Sequence, residues 1–252
     1  MSKVSDLLNK LTDHMVGIER KFNSAIIVAA GSGTRAMTKD GTKQMEPLLG
    51  IPVVARTVST FESCRFIQEI VIVAKADEVK LYDALQVTYG WKKVVAVVPG
   101  GDSRQESVLN GFKKISDKSE FVYIHDAARC LVTESMIAAV GHAACFDGAA
   151  FAAHKATDTV KAANNGNLET LDRNGIWLAQ TPQVFMTELY RAAAYTAAKD
   201  KVSVTDDAML AERIGFRVTP VECGTENIKI TYPMDFVIAE AILTYRDREV
   251  KS

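Results

Sequence analysis

Residues 24–35 read Ser-Ala-Ile-Ile-Val-Ala-Ala-Gly-Ser-Gly-Thr-Arg, and this stretch decides the fold class of the 252-residue chain. Its first half is a continuous apolar run, which is typical of a strand covered on both faces of a parallel sheet. Its second half is a loop with two glycines and an arginine. Glycines let a backbone turn sharply, and the exposed N–H groups of such a loop can bind phosphate. The stretch therefore predicts a buried strand followed by an anion-binding loop.

Similar apolar runs follow along the chain, and helical patterns separate them. Strands alternating with helices predict βαβ units and an α/β fold with a doubly wound, mostly parallel sheet. The predicted strands are Ile70–Val73, Val94–Val98, Phe121–Ile124 and Arg217–Val221. The predicted helices are Val53–Ser63, Glu78–Tyr89, Ser103–Ile115, Thr187–Lys199, Asp206–Ile214 and Pro233–Arg246.

Two segments stand outside this alternation. Residues 1–23 have apolar side chains at three- and four-residue steps, which predicts an amphipathic helical extension that packs on the body or on a partner subunit. In about 152–177, the extended stretches Asp158–Lys161 and Leu168–Trp177 flank a polar turn, which predicts a protruding β-arm. We see no linker or repeat, so residues 24–252 are expected to form a single domain that carries the arm.

Composition restricts the class of function. The chain has 30 Lys plus Arg against 31 Asp plus Glu, and this balance favours neither a nucleic-acid nor a membrane partner. The four cysteines include no C-x-x-C pair, and the four histidines have no zinc-binding spacing. No apolar run approaches the roughly 18 residues of a membrane span. The sequence thus predicts a reduced, cytoplasmic enzyme without a metal held mainly by protein side chains.

Three interpretations of the glycine loop compete. A Walker A loop is excluded because G-x-x-x-x-G-K-[ST] does not occur. A dinucleotide loop is compatible with the G-x-G-x-x-A pattern that begins at Gly31, but the acidic ribose-binding residue expected about 20 positions later is missing. In the third interpretation, the loop is that of a sugar-nucleotide or cytidylyltransferase, and Arg35 and Lys43 face a nucleoside triphosphate. Because both cations follow a buried strand and a glycine loop, the sequence favours this nucleotidyltransferase interpretation.

Further motifs follow in register along the chain. They are Gly100-Gly101-Asp102-Ser103-Arg104-Gln105-Glu106-Ser107, His125-Asp126-Ala127-Ala128-Arg129, Asp172-Arg173-Asn174-Gly175, Thr181-Pro182-Gln183, Thr205-Asp206-Asp207 and Glu226-Asn227-Ile228-Lys229-Ile230-Thr231. From about Ser24 to Arg246, the ordered set resembles the 2-C-methyl-D-erythritol 4-phosphate cytidylyltransferase family. The resemblance implies a Rossmann-like nucleotidyltransferase sheet and transfer of CMP from CTP to that sugar phosphate, with release of pyrophosphate, in non-mevalonate isoprenoid biosynthesis. Thr42 and Cys130 depart from the family pattern, which has proline at both positions.

The resemblance also implies the site residues. The catalytic set, around the triphosphate and the transition state, is Arg35, Lys43 and Lys229. The nucleotide-binding set is Ala29, Ala30, Gly31, Ser32, Gly101, Asp102, Arg104 and Ser107. The substrate-binding set is Asp126, Arg129, Thr159, Arg173, Thr205 and Lys229. A homodimer is implied, in which the arm residues Thr159 and Arg173 complete the neighbouring active site.

The implied cofactor is Mg²⁺. This ion keeps several waters and binds largely through phosphates, so CTP is expected to hold most of it, with Asp126 the candidate protein ligand. The acceptor phosphate is already largely ionised near neutral pH because its second pKa is ~6, so the reaction needs no strong general base. We accordingly interpret His125 as a structural residue, and Asp206 and Asp207 as helix-start residues.

Two alternative functions remain open. The acceptor could be ribitol 5-phosphate, because polyol-phosphate cytidylyltransferases share much of the glycine loop and the Thr181-Pro182-Gln183 motif. The chain could also be a catalytically inactive nucleotide-binding scaffold. The joint presence of Arg35, Lys43 and Lys229 argues against the scaffold.

Overall fold

The predicted strands and helices assemble around one main sheet. The computed structural model describes residues 20–31, 43–164 and 166–249. The strands there are β1 (Asn23–Val28), β2 (Pro47–Leu48), β3 (Ile51–Pro52), β4 (Glu69–Ala74), β5 (Val94–Pro99), β6 (Phe121–Asp126), β7 (Ala149–Lys155), β8 (Lys161–Asn164), β9 (Asn167–Thr170), β10 (Trp177–Met186) and β11 (Thr219–Glu222). The helices are α1 (Val53–Ser63), α2 (Val79–Tyr89), α3 (Arg104–Phe112), α4 (Glu134–Asp147), α5 (Thr187–Lys199), α6 (Ala208–Arg213) and α7 (Pro233–Glu249).

The sheet is mostly parallel, as predicted. Across the described residues its strand order is β11-β7-β10-β6-β1-β4-β5. β1 is central and pairs in parallel with β4 and β6, and β4 pairs in parallel with β5. β10 is antiparallel to both β6 and β7, whereas β11 runs parallel to β7. The predicted doubly wound α/β class is confirmed, with one antiparallel strand inserted beside the parallel half.

Side chains of β1 explain why its sequence does not alternate. Ala25 and Ile27 belong to one hydrophobic core, while Ile26 belongs to a second core on the opposite face of the sheet. Successive residues of a strand point to opposite faces, so a strand covered on both sides needs apolar residues at every position. α1, α2 and α4 supply the first core, and α3, α5 and α6 supply the second.

Some elements differ from the sequence prediction. The bounds of α1 and α5 agree with it, but α4, β7 and β10 had not been predicted, since the extended stretch expected before α5 ended at Trp177, where β10 begins. β7 is rich in alanine, which has a weak intrinsic preference for strands. Its pairing with β10 on one side and β11 on the other decides its conformation. Pro182 lies inside β10, near the point where its register with β7 shifts.

The stretch predicted as an arm contains a short exposed hairpin. β8 and β9 pair antiparallel, and Asn164 lies opposite Asn167 at the end of the pairing. β9 ends at Thr170, so the extended stretch predicted as far as Trp177 is wrong beyond that residue, and Arg173–Gly175 forms a 3₁₀ turn. The Leu171 N–H donates to the Val160 carbonyl oxygen at 3.0 Å, and this bond closes the base of the hairpin. The predicted N-terminal helix lies almost wholly outside the described residues.

Candidate active site

A cavity of about 420 Å³ opens where β1, β5 and β6 end. These strands run in parallel, so their carboxyl ends meet at one edge of the sheet, which is where doubly wound folds bind ligands. The lining residues are Val28, Ala30, Gly31, Lys43, Gln44, Gly101, Asp102, Ser103, Arg104, Ser107, Asp126, Ala128, Lys229 and Thr231. The cavity thus collects predicted residues from the catalytic, nucleotide-binding and substrate-binding sets.

The loop after β5 packs tightly against the loop after β1. A Cβ atom at Gly100 would lie 2.4 Å from the Ala30 Cβ and 2.8 Å from the Ser107 Oγ. Contacts this short are sterically excluded, so only glycine allows the two loops to approach each other. The Ser107 hydroxyl accepts a hydrogen bond from the Gly101 N–H at 3.0 Å and donates to the Ser103 carbonyl at 2.8 Å. Ser107, predicted to bind the nucleotide, thereby holds the shape of the loop.

The first turn of α3 fixes the other end of this loop. The Ser103 side chain caps the helix by accepting from the Glu106 N–H at 3.0 Å, and Glu106 accepts from the Asp102 N–H at 2.9 Å. The first bond is that of a capping box, but the Glu106 carboxylate binds the N–H of the residue before the cap and not that of Ser103 itself. Neither Ser103 nor Glu106 was predicted as a site residue, although the Ser-x-x-Glu spacing is a sequence signal that could have identified them.

Asp126 lies at the centre of the site, at the end of β6. It is only 8% exposed. Its carboxylate accepts hydrogen bonds from the Lys229 Nζ at 2.6 Å and the Arg104 Nε at 3.2 Å. Burial alone would raise the pKa of Asp126, but the charges of Arg104 and Lys229 outweigh burial and hold the pKa well below its usual range. The cavity therefore contains an ionised carboxylate between two cations.

Arg104 joins this carboxylate to a second one beneath the cavity. Its Nη1 donates to Asp207 Oδ2 at 2.6 Å, and Asp207 Oδ1 accepts from the Tyr190 hydroxyl at 2.9 Å. Burial disfavours the charged guanidinium, yet the attraction of Asp207 and Asp126 raises the pKa of Arg104 above its ordinary value. Burial raises the pKa of Asp207, and the bonds from Arg104 and Tyr190 oppose that shift.

Asp207 directly precedes α6, as expected, but the capping role expected of a helix-start aspartate is wrong for it. Its side chain makes no capping hydrogen bond, because it is turned inward to Arg104 and is 1% exposed. The neighbouring Asp206 does act at the helix start, since its Oδ1 accepts from the Met209 N–H at 3.1 Å. Two adjacent aspartates thus have different roles, and the local sequence contains no signal that separates them.

Lysines from distant parts of the chain meet at the cavity. Lys43 is 8% exposed, and its Nζ donates to the Ile230 carbonyl at 2.8 Å. Lys229, one residue before Ile230, is more exposed and reaches Asp126. Gln44, which was not predicted as a site residue, donates to the Gly31 carbonyl at 3.2 Å. The segment around Lys43 is therefore tied both to the glycine loop and to the segment around Lys229.

Arg129 and His125 pack behind the cavity wall. The Arg129 Nη1 donates to the Asn227 carbonyl at 2.8 Å, so the guanidinium supports the segment that carries Lys229. His125 is fully buried, with Nε2 3.2 Å from the Arg129 carbonyl oxygen and Nδ1 3.1 Å from the Thr181 hydroxyl. Burial lowers the pKa of His125 to about 3, so the ring is neutral near pH 7. His125 therefore has the structural role assigned from the sequence.

Other predicted residues lie elsewhere. Ala29 is buried beneath the cavity wall. Thr159 and Arg173 are exposed near the hairpin, where the Arg173 Nη1 donates to the Thr157 carbonyl. Thr205 is exposed, and its hydroxyl contacts the Met209 Sδ at 3.0 Å. Ser32 and Arg35 lie outside the described residues.

The donor set limits how a metal could be held. Among the residues that the structure describes, no three His, Cys, Asp or Glu side chains form a metal-binding group. Asp126 and Asp102 are the carboxylates of the cavity lining. Such a sparse set suits Mg²⁺, which keeps most of its waters and takes further oxygens from substrate phosphates.

In the same described ranges, no helix combines the length and apolarity required to cross a bilayer.

Comparisons with known proteins agree with this geometry. The model of the 2-C-methyl-D-erythritol 4-phosphate cytidylyltransferase family matches residues 24–245. A protein of that name from Syntrophus aciditrophicus is 42% identical over 222 residues, which cover 87% of this chain and 94% of the relative. Another from Alkaliphilus oremlandii is 40% identical and covers 88% and 95%.

Solved structures give the same result. The crystal structure of 4-diphosphocytidyl-2C-methyl-D-erythritol synthase from Anaerococcus prevotii superposes with a TM-score of 0.80 at 30% identity, covering 90% of this chain and 98% of that one. The Francisella tularensis 2-C-methyl-D-erythritol 4-phosphate cytidylyltransferase superposes with a TM-score of 0.74 at 29% identity, covering 87% and 98%. On sequence and fold together, the chain belongs to the 2-C-methyl-D-erythritol 4-phosphate cytidylyltransferase family.

Proposed function

We propose that this protein transfers CMP from CTP to 2-C-methyl-D-erythritol 4-phosphate, and that it releases pyrophosphate in doing so. Family membership supports the reaction. The observation that carries the proposal in the structure is the convergence of Lys43, Arg104 and Lys229 on one cavity beside Asp126. Both substrates are polyanions, so bringing them together requires cations fixed in place beforehand.

The chemistry follows from that cavity. An oxygen of the acceptor phosphate attacks the α-phosphorus of CTP, and the bond from that phosphorus to the bridging oxygen of the leaving pyrophosphate breaks. Negative charge then grows on the α-phosphate and on the pyrophosphate. Preorganised lysine and arginine side chains stabilise such charge without reorganising. The buried neutral His125 does not enter the cavity lining, so it does not serve as a base.

We propose Mg²⁺ as the cofactor, held mainly by the CTP phosphates. When bound, the ion would neutralise part of the triphosphate charge. Asp126 is the protein ligand that the geometry favours, because it is ionised and lies in the cavity. It is paired with Arg104 and Lys229 in this structure. Those two cations also keep Asp126 oriented toward the cavity and balance its charge.

We propose that Arg35 joins Lys43 at the triphosphate, and that Gly31, Ser32 and the loop around Asp102 bind the nucleotide. Arg129 and Thr205 are proposed for the acceptor side, with Arg129 acting from behind the Lys229 segment. Because Thr159 and Arg173 are exposed near the hairpin and away from the cavity, we propose that they serve the neighbouring subunit of a homodimer.

We also propose a cytoplasmic location. The cysteines Cys64, Cys130, Cys145 and Cys223 are all free thiols in the structure, as expected for a protein in a reducing compartment. Burial raises the pKa of the Cys130 thiol to about 11, which makes it unreactive although it follows Arg129.

The test is pyrophosphate release from CTP with each acceptor in turn. The purified protein is mixed with CTP, Mg²⁺ and either 2-C-methyl-D-erythritol 4-phosphate or ribitol 5-phosphate, and a parallel reaction contains EDTA. We expect rapid release with the first acceptor, little with the second and none after chelation. A preference for ribitol 5-phosphate would overturn the acceptor but keep the nucleotide site. CTP binding without any turnover would support the inactive scaffold.

A further inference from the structure

A buried polar cluster lies directly behind the cavity and has no place in the proposed reaction. At its centre is Asp207, which is 1% exposed and does not line the cavity. One carboxylate oxygen accepts from the Arg104 Nη1 at 2.6 Å, and the other accepts from the Tyr190 hydroxyl at 2.9 Å. Both oxygens are therefore engaged, and the carboxylate can neither rotate nor shift without losing a bond.

The backbone of Asp207 is fixed as firmly as its side chain. The Gln183 Oε1 accepts from the Asp207 N–H at 3.0 Å and from the Ala208 N–H at 2.9 Å. Gln183 is a buried residue of β10, so α6 begins at a point pinned to the main sheet. The Gln183 amide also donates to Asp206 Oδ2 at 3.1 Å. The backbone at Asp207 is thus tied to the main sheet through Gln183.

Stability alone gives no reason for this arrangement. A buried ion pair costs desolvation free energy that its own attraction often does no more than repay, so a carboxylate at this position is weak evidence of a stabilising role. Asp207 also makes no helix-capping bond. The Asp207 carboxylate instead fixes the position of Arg104. It binds Nη1 of the guanidinium, while Nε of the same group binds Asp126 in the active site.

Two carboxylates bind the Arg104 guanidinium, one on each side. Asp207 binds Nη1 at 2.6 Å, while Asp126 accepts from Nε at the longer distance of 3.2 Å. The planar guanidinium is held by two carboxylates and so has a fixed orientation. When substrates and Mg²⁺ compete for Asp126, the shorter bond to Asp207 would remain. Arg104 would then keep its position at the cavity wall while Asp126 changes partner.

We propose that Asp207 is a positioning residue for nucleotide binding: it anchors Arg104 from behind, so that the guanidinium stays aimed into the cavity throughout the reaction. This inference rests on the proposed function, since it takes CTP as the ligand that Arg104 meets. Asp207 itself touches no substrate, and its effect on the reaction passes through Arg104.

The first variant is Asp207→Asn, which removes the charge while leaving an oxygen for the Tyr190 hydroxyl. Losing a charge-assisted bond to Arg104 should raise the KM for CTP about tenfold or more and lower kcat by a smaller factor. The matched control is Asp200→Asn, the same change at an exposed carboxylate that pairs with Arg213 and lies outside the cavity lining. Its KM for CTP should stay within about twofold of the wild-type value.

A double-mutant cycle separates positioning from a general structural role. In an Arg104→Gln background, Asp207→Asn should change the KM for CTP by less than about twofold, because the residue through which it acts is gone. An equal rise of KM in both backgrounds would overturn the proposal, as would an unchanged KM in Asp207→Asn alone.

If Asp207→Asn folds poorly, the melting temperatures of Arg104→Gln and of the double variant provide a second test. Arg104→Gln leaves Asp207 buried without its cation, so the melting temperature should fall, and adding Asp207→Asn should recover part of the loss. A double variant less stable than Arg104→Gln would contradict the anchoring. If the wild-type protein released no pyrophosphate, the proposed function would be refuted and not the anchoring. The Kd for CTP, measured by calorimetric titration of the same proteins, would then be compared in place of KM.

Discussion

Lys43 and Lys229 differ in the freedom of their charged groups. The Lys43 ammonium is buried and bound to the Ile230 carbonyl. The Lys229 side chain is 39% exposed and forms an ion pair with Asp126. An exposed ammonium on a flexible stem can exchange one anionic partner for another at little cost. In the proposed reaction, we therefore expect Lys229 to respond to the negative charge that grows on the α-phosphate and on pyrophosphate.

Replacing Lys229 by alanine should affect turnover more than nucleotide binding. We expect kcat to fall roughly 10²–10³-fold, because a charge that acts on the transition state is removed. The Kd for CTP should change less than about threefold, and the comparison requires rapid-quench turnover alongside calorimetric binding. Lys80→Ala, on the exposed surface of α2, is the control and should match wild type. Equal losses in kcat and binding would contradict this role.

His125 should make stability depend on pH. Its pKa is lowered to about 3 by burial, whereas histidine in an unfolded chain titrates near ~6.5. Between these values the unfolded chain binds more protons than the folded one, so the free energy of unfolding falls as the pH drops. The slope from this residue is at most about 1.4 kcal/mol per pH unit.

The variant that tests this effect is His125→Asn, which keeps polar atoms but does not titrate. Urea unfolding between pH 5 and 6.5 should show a flatter dependence on pH than in wild type, whatever the absolute stability of the variant. A slope that equals the wild-type slope would show that His125 is protonated in the folded protein.

Individual site residues were predictable when a motif fixed their type. Asp126 follows a buried strand within a recognisable motif, so both its position and its charge could be predicted. Asp207 could not be assigned in the same way, because two adjacent aspartates at a helix start look alike in the sequence. Only the packing of α6 against β10 decides which of them turns inward to Arg104.

Elements were predictable where their own sequence determined them. The helix Val53–Ser63 has a buried apolar face and was predicted with its observed bounds. β7 is different, because a run of alanines with Phe151 has no strong preference for a strand. Its conformation depends on partners that lie between 22 and 69 residues later in the chain. Such long-range pairing leaves little trace in a local pattern.

The contact between the loops after β1 and β5 should be sensitive to a single methyl group. Gly100→Ala would force its Cβ against Ala30 and Ser107, at 2.4 and 2.8 Å, so backbone must move. We expect a loss of about 1–3 kcal/mol in the free energy of unfolding, measured by chemical denaturation, and a raised KM for CTP.

Gly175→Ala is the control for this substitution. A Cβ at Gly175 meets no atom within 4 Å among the described residues. Its free energy of unfolding should stay within about 0.5 kcal/mol of wild type. If Gly100→Ala were as stable and active as this control, the close approach of the two loops would not be needed for the site.

At the scale of the whole molecule, the sheet order explains why loops from distant parts of the chain meet at the cavity. β1 lies beside both β4 and β6, so loops that are far apart in sequence end at one edge. The hairpin of β8 and β9 is the exception. It makes a separate two-stranded sheet, and none of its described residues lines the cavity.

Mixed dimers test the proposed function of the arm. Arg173→Glu should impair acceptor binding, since a negative charge would meet the acceptor phosphate, and Lys229→Ala should impair turnover. If the arm serves the neighbouring subunit, mixing and refolding the two variants should restore up to about a quarter of the wild-type sites, because both defects then fall in the same site of a heterodimer. Pyrophosphate release is the measurement, and mixtures with no more activity than either variant would count against the shared site.

The site is assembled by residues that leave the ribosome at very different times. Lys229 lies 103 residues after Asp126, whose carboxylate it binds. Ile230, whose carbonyl binds Lys43, lies 187 residues after that lysine. At about 5–20 residues per second, roughly 5–20 s of synthesis separate Asp126 from its lysine. During that interval the nascent chain already contains the glycine loops and Asp126 but lacks Lys229. The proposed transfer of CMP relies on Lys229, so the chain can acquire this activity only late in translation, after the strands of the parallel core have been synthesised.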